Sequence, residues 1–305
     1  MTTTYTYHFH PITTCNMCGS SSHNHRVLGQ RLNTSQGFRP KKKTGISVSI
    51  MQCTNCRLIY AQPQPVPASI QDHYGTPPEN YWKPEYFVWK PTYFSTEIKE
   101  AITLIGSHEG MKALDIGAGL GKAMLSLQHH GFDAYGLEPS IPFYERAISQ
   151  MGISSEKLKL GALEELEFAD DSFDFITFGA VFEHLYNPKQ CLEKALRWLK
   201  PGGVIQIEVP SADWLIPQFM NAYFKLVGTN YVTNLSPMHS PFHLHEFTPK
   251  TFQSIQDELG FRIVKQRYTV CDIYFIPKVF HPLLRWYMRK TNTGMQLTVY
   301  LRKNG

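Results

Sequence analysis

From residue 111 onward the apolar positions follow two alternating rhythms. Short apolar runs of strand type are separated by segments in which apolar side chains recur at helical spacing. Lys112-Ala-Leu-Asp-Ile116 is a short run ending in a Gly-rich turn, and Ala123 to His130 is a helix that stops at Gly131. Asp133-Ala-Tyr-Gly-Leu-Glu138 predicts a second strand, Pro142 to Met151 a second helix, Leu158-Lys-Leu160 a third, shorter strand and Phe173-Asp-Phe-Ile-Thr-Phe178 a fourth. Pro188 to Lys200 predicts a helix closed by Pro201-Gly202-Gly203, followed by a fifth strand, Val204-Ile-Gln-Ile-Glu-Val209. Such alternation implies an α/β fold with a mostly parallel sheet covered on both faces.

After Pro210 the rhythm breaks into an aromatic and polar insertion, 210–246. Thr248-Pro249 then predicts a helix that runs to Gly260, with Thr248 as N-cap and Pro249 at the first helical position. Phe261 to Arg267 is a sixth strand, 277–290 a further helix inside a second insertion at 270–294, and Gln296 to Leu301 the last strand.

The first hundred residues read differently. Residues 12 to about 62 contain Cys, Ser and Gly with little apolar periodicity. Ala61-Gln-Pro63-Gln-Pro65-Val-Pro67 reads as a stiff extended connector. The aromatic stretch from Tyr81 through Trp82 and Tyr86 to Trp89 predicts either a lid or core packing, and it leads into a helix from Pro91 to Ile105. The expected division is 1–65, 66–110 and 111–305.

Composition narrows the function classes. Thirty basic and 25 acidic residues give a net charge of +5, a mild bias that permits a phosphate partner without demanding one. The densest basic run, Arg39-Pro-Lys41-Lys42-Lys43, is read as a solvated loop. No stretch reaches about 18 uninterrupted apolar residues, so no membrane span and no membrane partner are expected. Nor does the N-terminus carry a basic region followed by an apolar core, so a cytoplasmic location is expected.

Glycines at a strand-to-helix turn let backbone approach a ligand, and the helix N-terminus beyond offers free N–H groups. Here Asp115 ends the strand, Gly117, Gly119 and Gly121 follow, and a second acid, Glu138, ends the next strand, where an acid accepts from ribose hydroxyls. The third glycine comes one residue earlier than in the dinucleotide fingerprint, which argues against a nicotinamide cofactor. With Gly136-Leu-Glu-Pro139, Asp171-Ser-Phe-Asp-Phe-Ile176, Phe182-Glu-His-Leu185 and Leu199-Lys-Pro-Gly-Gly203, residues 112–209 resemble a class I S-adenosylmethionine-dependent methyltransferase. The resemblance implies a Rossmann-like sheet with its last strand antiparallel. It implies S-adenosylmethionine as cofactor, its methionine end at Asp115 and the glycines, its ribose at Glu138, its adenine beside Ala162 and Leu163, and Phe178 alongside. It also implies a capping or cofactor-packing role for Glu183-His184. Gly161 stands where the family often has an acid for the adenine, and Glu164 is close by.

Four cysteines form two knuckles, Cys15-Asn-Met-Cys18 and Cys53-Thr-Asn-Cys56. Two such turns give the four-sulfur shell of a structural zinc in a small zinc-ribbon-like unit, with Ile46 to Ile50 as a hairpin strand. Cys191 and Cys271 are expected in the core. The zinc unit ahead of this domain resembles sugar C-methyltransferases and natural-product relatives, and the ribosomal RNA guanine methyltransferases have a similar layout.

The 210–246 insertion lies beyond the strand ends, where ligands bind in open α/β sheets. It contains His239, His243, His245 and Glu246, a dense group of proton-exchanging side chains. In the sugar C-methyltransferases a Glu-His pair precedes the helix start. His243 aligns with that histidine, and Phe242 stands in place of the glutamate. His243, with His245 and Glu246 as substitutes, is the expected base. The function expected is methylation of a hydroxyl or activated carbon on a sugar or secondary metabolite. The alternatives are an RNA methyltransferase gripping phosphate through Lys41 to Lys43, and a non-catalytic cofactor-binding protein.

Overall fold

A computed structural model describes residues 7–32, 47–69, 82–106, 109–235, 243–271, 273 and 276–305. Lys41 to Lys43, Tyr81, His239 and Phe242 lie outside the described residues. Three N-terminal strands, β1 (Tyr7–His10), β2 (Arg26–Leu32) and β3 (Ser47–Gln52), precede β4 (Ile59–Gln62) and β5 (Gln64–Pro67). The segment read as a connector is therefore strand: β5 pairs antiparallel with β1, from Tyr7 opposite Pro67 to His10 opposite Gln64. Prolines are tolerated there because each strand of a two-stranded ribbon has a free edge.

Helix α1 (Ser95–Ile105) leads into the main sheet and starts four residues later than the sequence suggests, after a turn at 91–94. Then come β6 (Lys112–Ile116), α2 (Lys122–His129), β7 (Asp133–Glu138), α3 (Ile141–Ser149), β8 (Leu158–Leu160), β9 (Phe173–Gly179), α4 (Pro188–Trp198) and β10 (Leu199–Pro210). The insertion contributes α5 (Leu215–Leu226) and β11 (His245–Glu246). The helix expected from Thr248 to Gly260 is two short ones, α6 (Pro249–Gln253) and α7 (Gln256–Leu259), broken at Ile255. Ile255 leaves helical geometry (ψ 0°) and is 1% exposed, its side chain packed in the core. The chain ends with β12 (Phe261–Thr269), α8 (His281–Thr291) and β13 (Gln296–Lys303).

The seven-stranded sheet has the order β12-β13-β10-β9-β6-β7-β8. Strands β10, β9, β6, β7 and β8 run parallel, while β13 is antiparallel to both β10 and β12. The order reverses between β6 and β9, which leaves a crevice beyond their carboxyl ends. Buried on both faces, β9 is apolar nearly throughout.

A second sheet has the order β11-β4-β3-β2. The insertion after β10 thus lends a strand to the N-terminal unit, with His245 opposite Tyr60 and Glu246 opposite Ile59. One apolar core runs through both regions and joins Met17, Leu58 and Tyr60 to Phe182, Phe247, Phe252 and Ile207. Cys191 is buried as expected, but Cys271 is half-buried and donates to Gln296 Oε1 at 3.5 Å. Among the described residues no helix is long and apolar enough to cross a membrane.

Candidate functional site

The turn after β6 is built from left-handed backbone. Gly117 (φ 74°) needs both its conformation and its missing side chain, since a Cβ would meet Val181 at 2.4 Å. At Gly119 (φ 56°) no heavy atom lies within 4 Å of that point, so its backbone faces open space. That space is a cavity of about 490 Å³ lined by Gly117 to Leu120, Glu138, Ala162, Leu163 and His184, with Tyr86 and Tyr93 on its outer side. Of the residues expected at the cofactor, Gly117, Gly119, Glu138, Ala162 and Leu163 line this cavity. Asp115, Gly121 and Phe178 are buried and do not line it.

Glu138 is fixed by two backbone donors: Gly119 N to Oε2 at 2.6 Å and Ser140 N to Oε1 at 2.7 Å. Burial still outweighs these bonds and pushes its carboxyl up to about 7. Asp115 is also pushed up to about 7, by burial and then by the charge of Glu138. A neutral or half-neutral carboxyl held rigidly beside a cavity can pair with hydroxyl groups.

Just after β8, Gly161 has φ 148°, and a Cβ there would meet Leu166 at 2.9 Å. An acid at this position has no room. Glu164 lines the cavity and accepts from the Cys191 thiol at 3.6 Å. The aromatic segment divides its work. The ring of Trp82 lies under the Arg146 guanidinium at 4.0 Å, Trp89 Nε1 donates to Ser126 Oγ at 2.8 Å, and only Tyr86 of the described members reaches the cavity.

A second, smaller cavity of about 160 Å³ shares Ala180 with the first. Its lining includes Glu183, Glu208, Trp214, Thr233, His243, Glu246 and Gln296. At the junction, Glu183 Oε1 lies 3.8 Å from His243 Nε2 and 4.0 Å from His184 Nε2, and the two imidazole rings meet edge to face at 4.9 Å. Glu183 is 2% exposed, its Oε2 has no hydrogen-bond partner among the described residues, and burial pushes its carboxyl up to about 8. Burial likewise raises Glu208.

The three residues expected to act as bases separate here. His243 lines the small cavity. His245, two residues on and the first residue of β11, does not line it. It is fully buried, pairs with Gln64 Nε2 at 3.1 Å, and is driven down to about 3 by burial, which keeps it neutral. Glu246 touches the cavity, but its oxygens accept from Asn234 Nδ2 at 2.7 Å and Leu235 N at 2.5 Å, so it ties down the insertion. Sequence reasoning missed Glu208, Trp214 and Tyr93. Glu208 left a signal, an acid inside the apolar run Val204 to Val209.

The cysteine knuckles converge. The sulfurs of Cys15, Cys18, Cys53 and Cys56 all lie within 4.8 Å of one another, with Cys15 and Cys56 3.5 Å apart and Cys18 and Cys53 3.6 Å apart. Tetrahedral zinc with Zn–S of about 2.3 Å needs sulfurs about 3.8 Å apart, so the four-thiol shell fits that ion. Around it, Ser20 Oγ contacts Cys18 and Cys53 at 3.2 Å, His25 Nε2 contacts Ser20 at 3.1 Å, and His25 Nδ1 meets Tyr60 Oη at 2.7 Å. The knuckles also grip elements of the main domain. Asn16 Nδ2 donates to the carbonyl of Tyr186, which lines the large cavity, and Thr251 Oγ1 donates to the carbonyl of Cys56 at 3.0 Å.

A family model described as a methyltransferase domain matches residues 92–266. The chain is 29% identical over 162 residues to the sarcosine/dimethylglycine N-methyltransferase of Aphanothece halophytica, covering 51% of this chain and 53% of that protein. It is 32% identical over 136 residues to the demethylmenaquinone methyltransferase of Staphylococcus aureus (strain MRSA252), covering 42% and 56%. The chain thus spans about half the length of the curated relatives it matches. A candidate S-adenosylmethionine-dependent methyltransferase of known structure from Listeria monocytogenes shares the fold, with TM-score 0.50 at 15% identity, covering 71% of this chain and all of that one.

Proposed function

Because the chain belongs to the methyltransferase domain family, whose model covers residues 92–266, we propose that it moves a methyl group from S-adenosylmethionine to a small-molecule acceptor. The cofactor, when bound, supplies an electrophilic methyl carried on a sulfonium. The observation that carries the reading is the junction of the two cavities at Ala180, where His184 belongs to the large one and His243 to the small one.

In this reading the backbone from Gly117 to Leu120 and the start of α2 hold the methionine end, with Asp115 as buried support. Glu138 accepts from the ribose hydroxyls. Ala162 and Leu163 flank the adenine, and Glu164 with neighbouring backbone takes the place of the acid that Gly161 excludes. The acceptor's reacting end enters the smaller cavity. There His243 would take the proton from the acceptor's hydroxyl or activated carbon, so that the acceptor is ready for the methyl that the cofactor would supply. Glu183 orients the imidazole and balances the charge it gains. The four cysteines hold a structural zinc.

A small-molecule acceptor such as a sugar or a secondary metabolite agrees with both curated relatives, which carry small-molecule names. Calorimetric titration with S-adenosylhomocysteine, followed by transfer of labelled methyl to a panel of sugars and phenolic metabolites, tests the reading. Binding that is lost in E138A, with transfer lost in H243A, supports it. Absence of S-adenosylhomocysteine binding by the folded chain, or transfer to RNA alone, overturns it.

A further inference from the structure

The basic excess of this chain is not spread evenly. Residues 214–245 and 273–305 contain no Asp or Glu and hold seven basic residues, Lys225, Lys278, Arg285, Arg289, Lys290, Arg302 and Lys303. Taking those seven from the chain's 30 leaves 23 basic against 25 acidic residues elsewhere. These two acid-free stretches contain α5 and α8.

The two helices pack together. Leu215 and Ile216 of α5 share one apolar cluster with Leu284 and Met288 of α8, and Leu215 N donates to Thr293 O at 3.1 Å. Their outer faces remain apolar. On α8 and its entry turn, Val279, Phe280, Leu283, Trp286 and Tyr287 are exposed, Leu283 by 64% and Trp286 by 57%. On α5 the exposed apolar residues are Phe219, Tyr223 and Leu226, spaced as one helical stripe and followed by Val227. Isolated exposed apolar residues are ordinary, whereas a run of this size marks a contact surface.

We infer that α8, flanked by α5, docks this protein on an anionic membrane surface. A helix with Trp, Phe and Leu on one side and Arg and Lys beside them, and no acid, lies in the headgroup layer rather than crossing it. Arg285, Arg289 and Lys290 would meet lipid phosphates, and each basic residue near such a surface adds attraction. A second copy of the chain suits the surface poorly, because a two-fold contact would set these cations against themselves. RNA suits it poorly too, because aliphatic Val279, Leu283 and Leu226 gain nothing against phosphates. Trp214, just before α5, and Met295, just beyond α8, line the smaller cavity, so the docking face borders the place where an acceptor would enter.

Flotation of the full chain with vesicles tests this. Vesicles of equal parts phosphatidylglycerol and phosphatidylcholine should carry about tenfold more protein than pure phosphatidylcholine. L283E/W286E and R289E/K290E should each lower that binding about tenfold, and high salt should lower it as well. Both variants change exposed side chains away from the large cavity, so unchanged S-adenosylhomocysteine binding would show that each still folds. Failure to float with anionic vesicles overturns the inference, as does flotation indifferent to both variants. A concentration-dependent dimer or RNA retention abolished by L283E/W286E, without vesicle binding, overturns it equally.

Discussion

Nε2 of His243 stands 3.8 Å from Oε1 of Glu183, a buried acid whose other oxygen has no hydrogen-bond partner among the described residues. Burial holds Glu183 up to about 8, so near neutrality the acid is largely protonated. A positive charge arriving on His243 would draw the carboxylate into its ionised form. In the proposed reaction the two groups would titrate as a coupled pair. E183Q removes the charge and keeps the shape. It is expected to lower kcat by about tenfold to a hundredfold with S-adenosylhomocysteine affinity unchanged, and to shift the basic limb of the pH–rate profile. Equal losses in affinity and kcat would assign Glu183 a packing role.

Stability should depend on pH in an unusual direction. Asp115, Glu138, Glu183 and Glu246 are all raised by burial, to about 7, 7, 8 and 7. A raised acid favours its neutral form in the folded chain. Its contribution is complete below the unfolded-state value, near 4 for these acids, and is lost as pH rises through the folded-state value. The cofactor-free protein should therefore lose thermal stability between about pH 5 and 8. Scanning calorimetry across that window checks this, and E183Q should flatten its upper part. A Tm that rises steadily with pH would contradict the burial of these groups.

The cysteine knuckles should report on the cofactor cavity. Asn16 is bonded to the carbonyl of Tyr186 at 2.7 Å, and the Cys56 carbonyl accepts from Thr251 at the start of α6. Loosening the thiol cluster frees both contacts. Removing the metal with a chelator is expected to weaken S-adenosylhomocysteine binding, and N16A alone should cost about 1 kcal/mol of that binding. Elemental analysis should find one zinc per chain, and calorimetry with and without chelator measures the coupling. Cofactor affinity insensitive to metal removal would make the cluster a purely local staple.

Gly161 gives a sharper steric expectation. Restoring an acid with G161D puts a Cβ 2.9 Å from Leu166 at φ 148°, a conformation L-residues rarely adopt. The variant should lose about 1–3 kcal/mol of stability and gain no cofactor affinity. Trimming Leu166 in the same chain should recover only part of the loss, because the backbone strain remains. A denaturant titration of the single and double variants checks both statements.

The sheet and the Gly-rich turn were readable because they depend on local pattern. Apolar runs at β6, β7, β9 and β10 each end in a turn signal, and their alternation with helices implies the parallel sheet. The pieces that escaped depend on distant partners. His245–Glu246 is too short to show a strand period, and its pairing with Tyr60 and Ile59 joins segments about 185 residues apart. The connector at β5 became strand only because β1 lies opposite it. Ile255 breaks the helix after Thr248 because its side chain is taken by the core. The cysteine spacing did reveal the knuckles, whereas no local pattern links Glu183 to His243, 60 residues later. The same blindness to partners made His243 and His245 look equivalent.

Substituting those two histidines separates chemistry from packing. They are two residues apart, and one faces the smaller cavity while the other faces the core. H245A removes a ring that is 0% exposed, leaves Gln64 without its partner, and opens a void beside Phe247 at 5.9 Å. A loss of about 2–4 kcal/mol in stability follows, with kcat little changed in the molecules that remain folded. H243A should do the reverse. Thermal stability and S-adenosylhomocysteine affinity should stay close to those of the parent, while methyl transfer falls by about a hundredfold or more. Adding imidazole to H243A should restore part of the rate, since a small base can occupy the vacated space, and it should do nothing for H245A. Rescue in H245A and not in H243A would move the base to the buried histidine and refute the assignment.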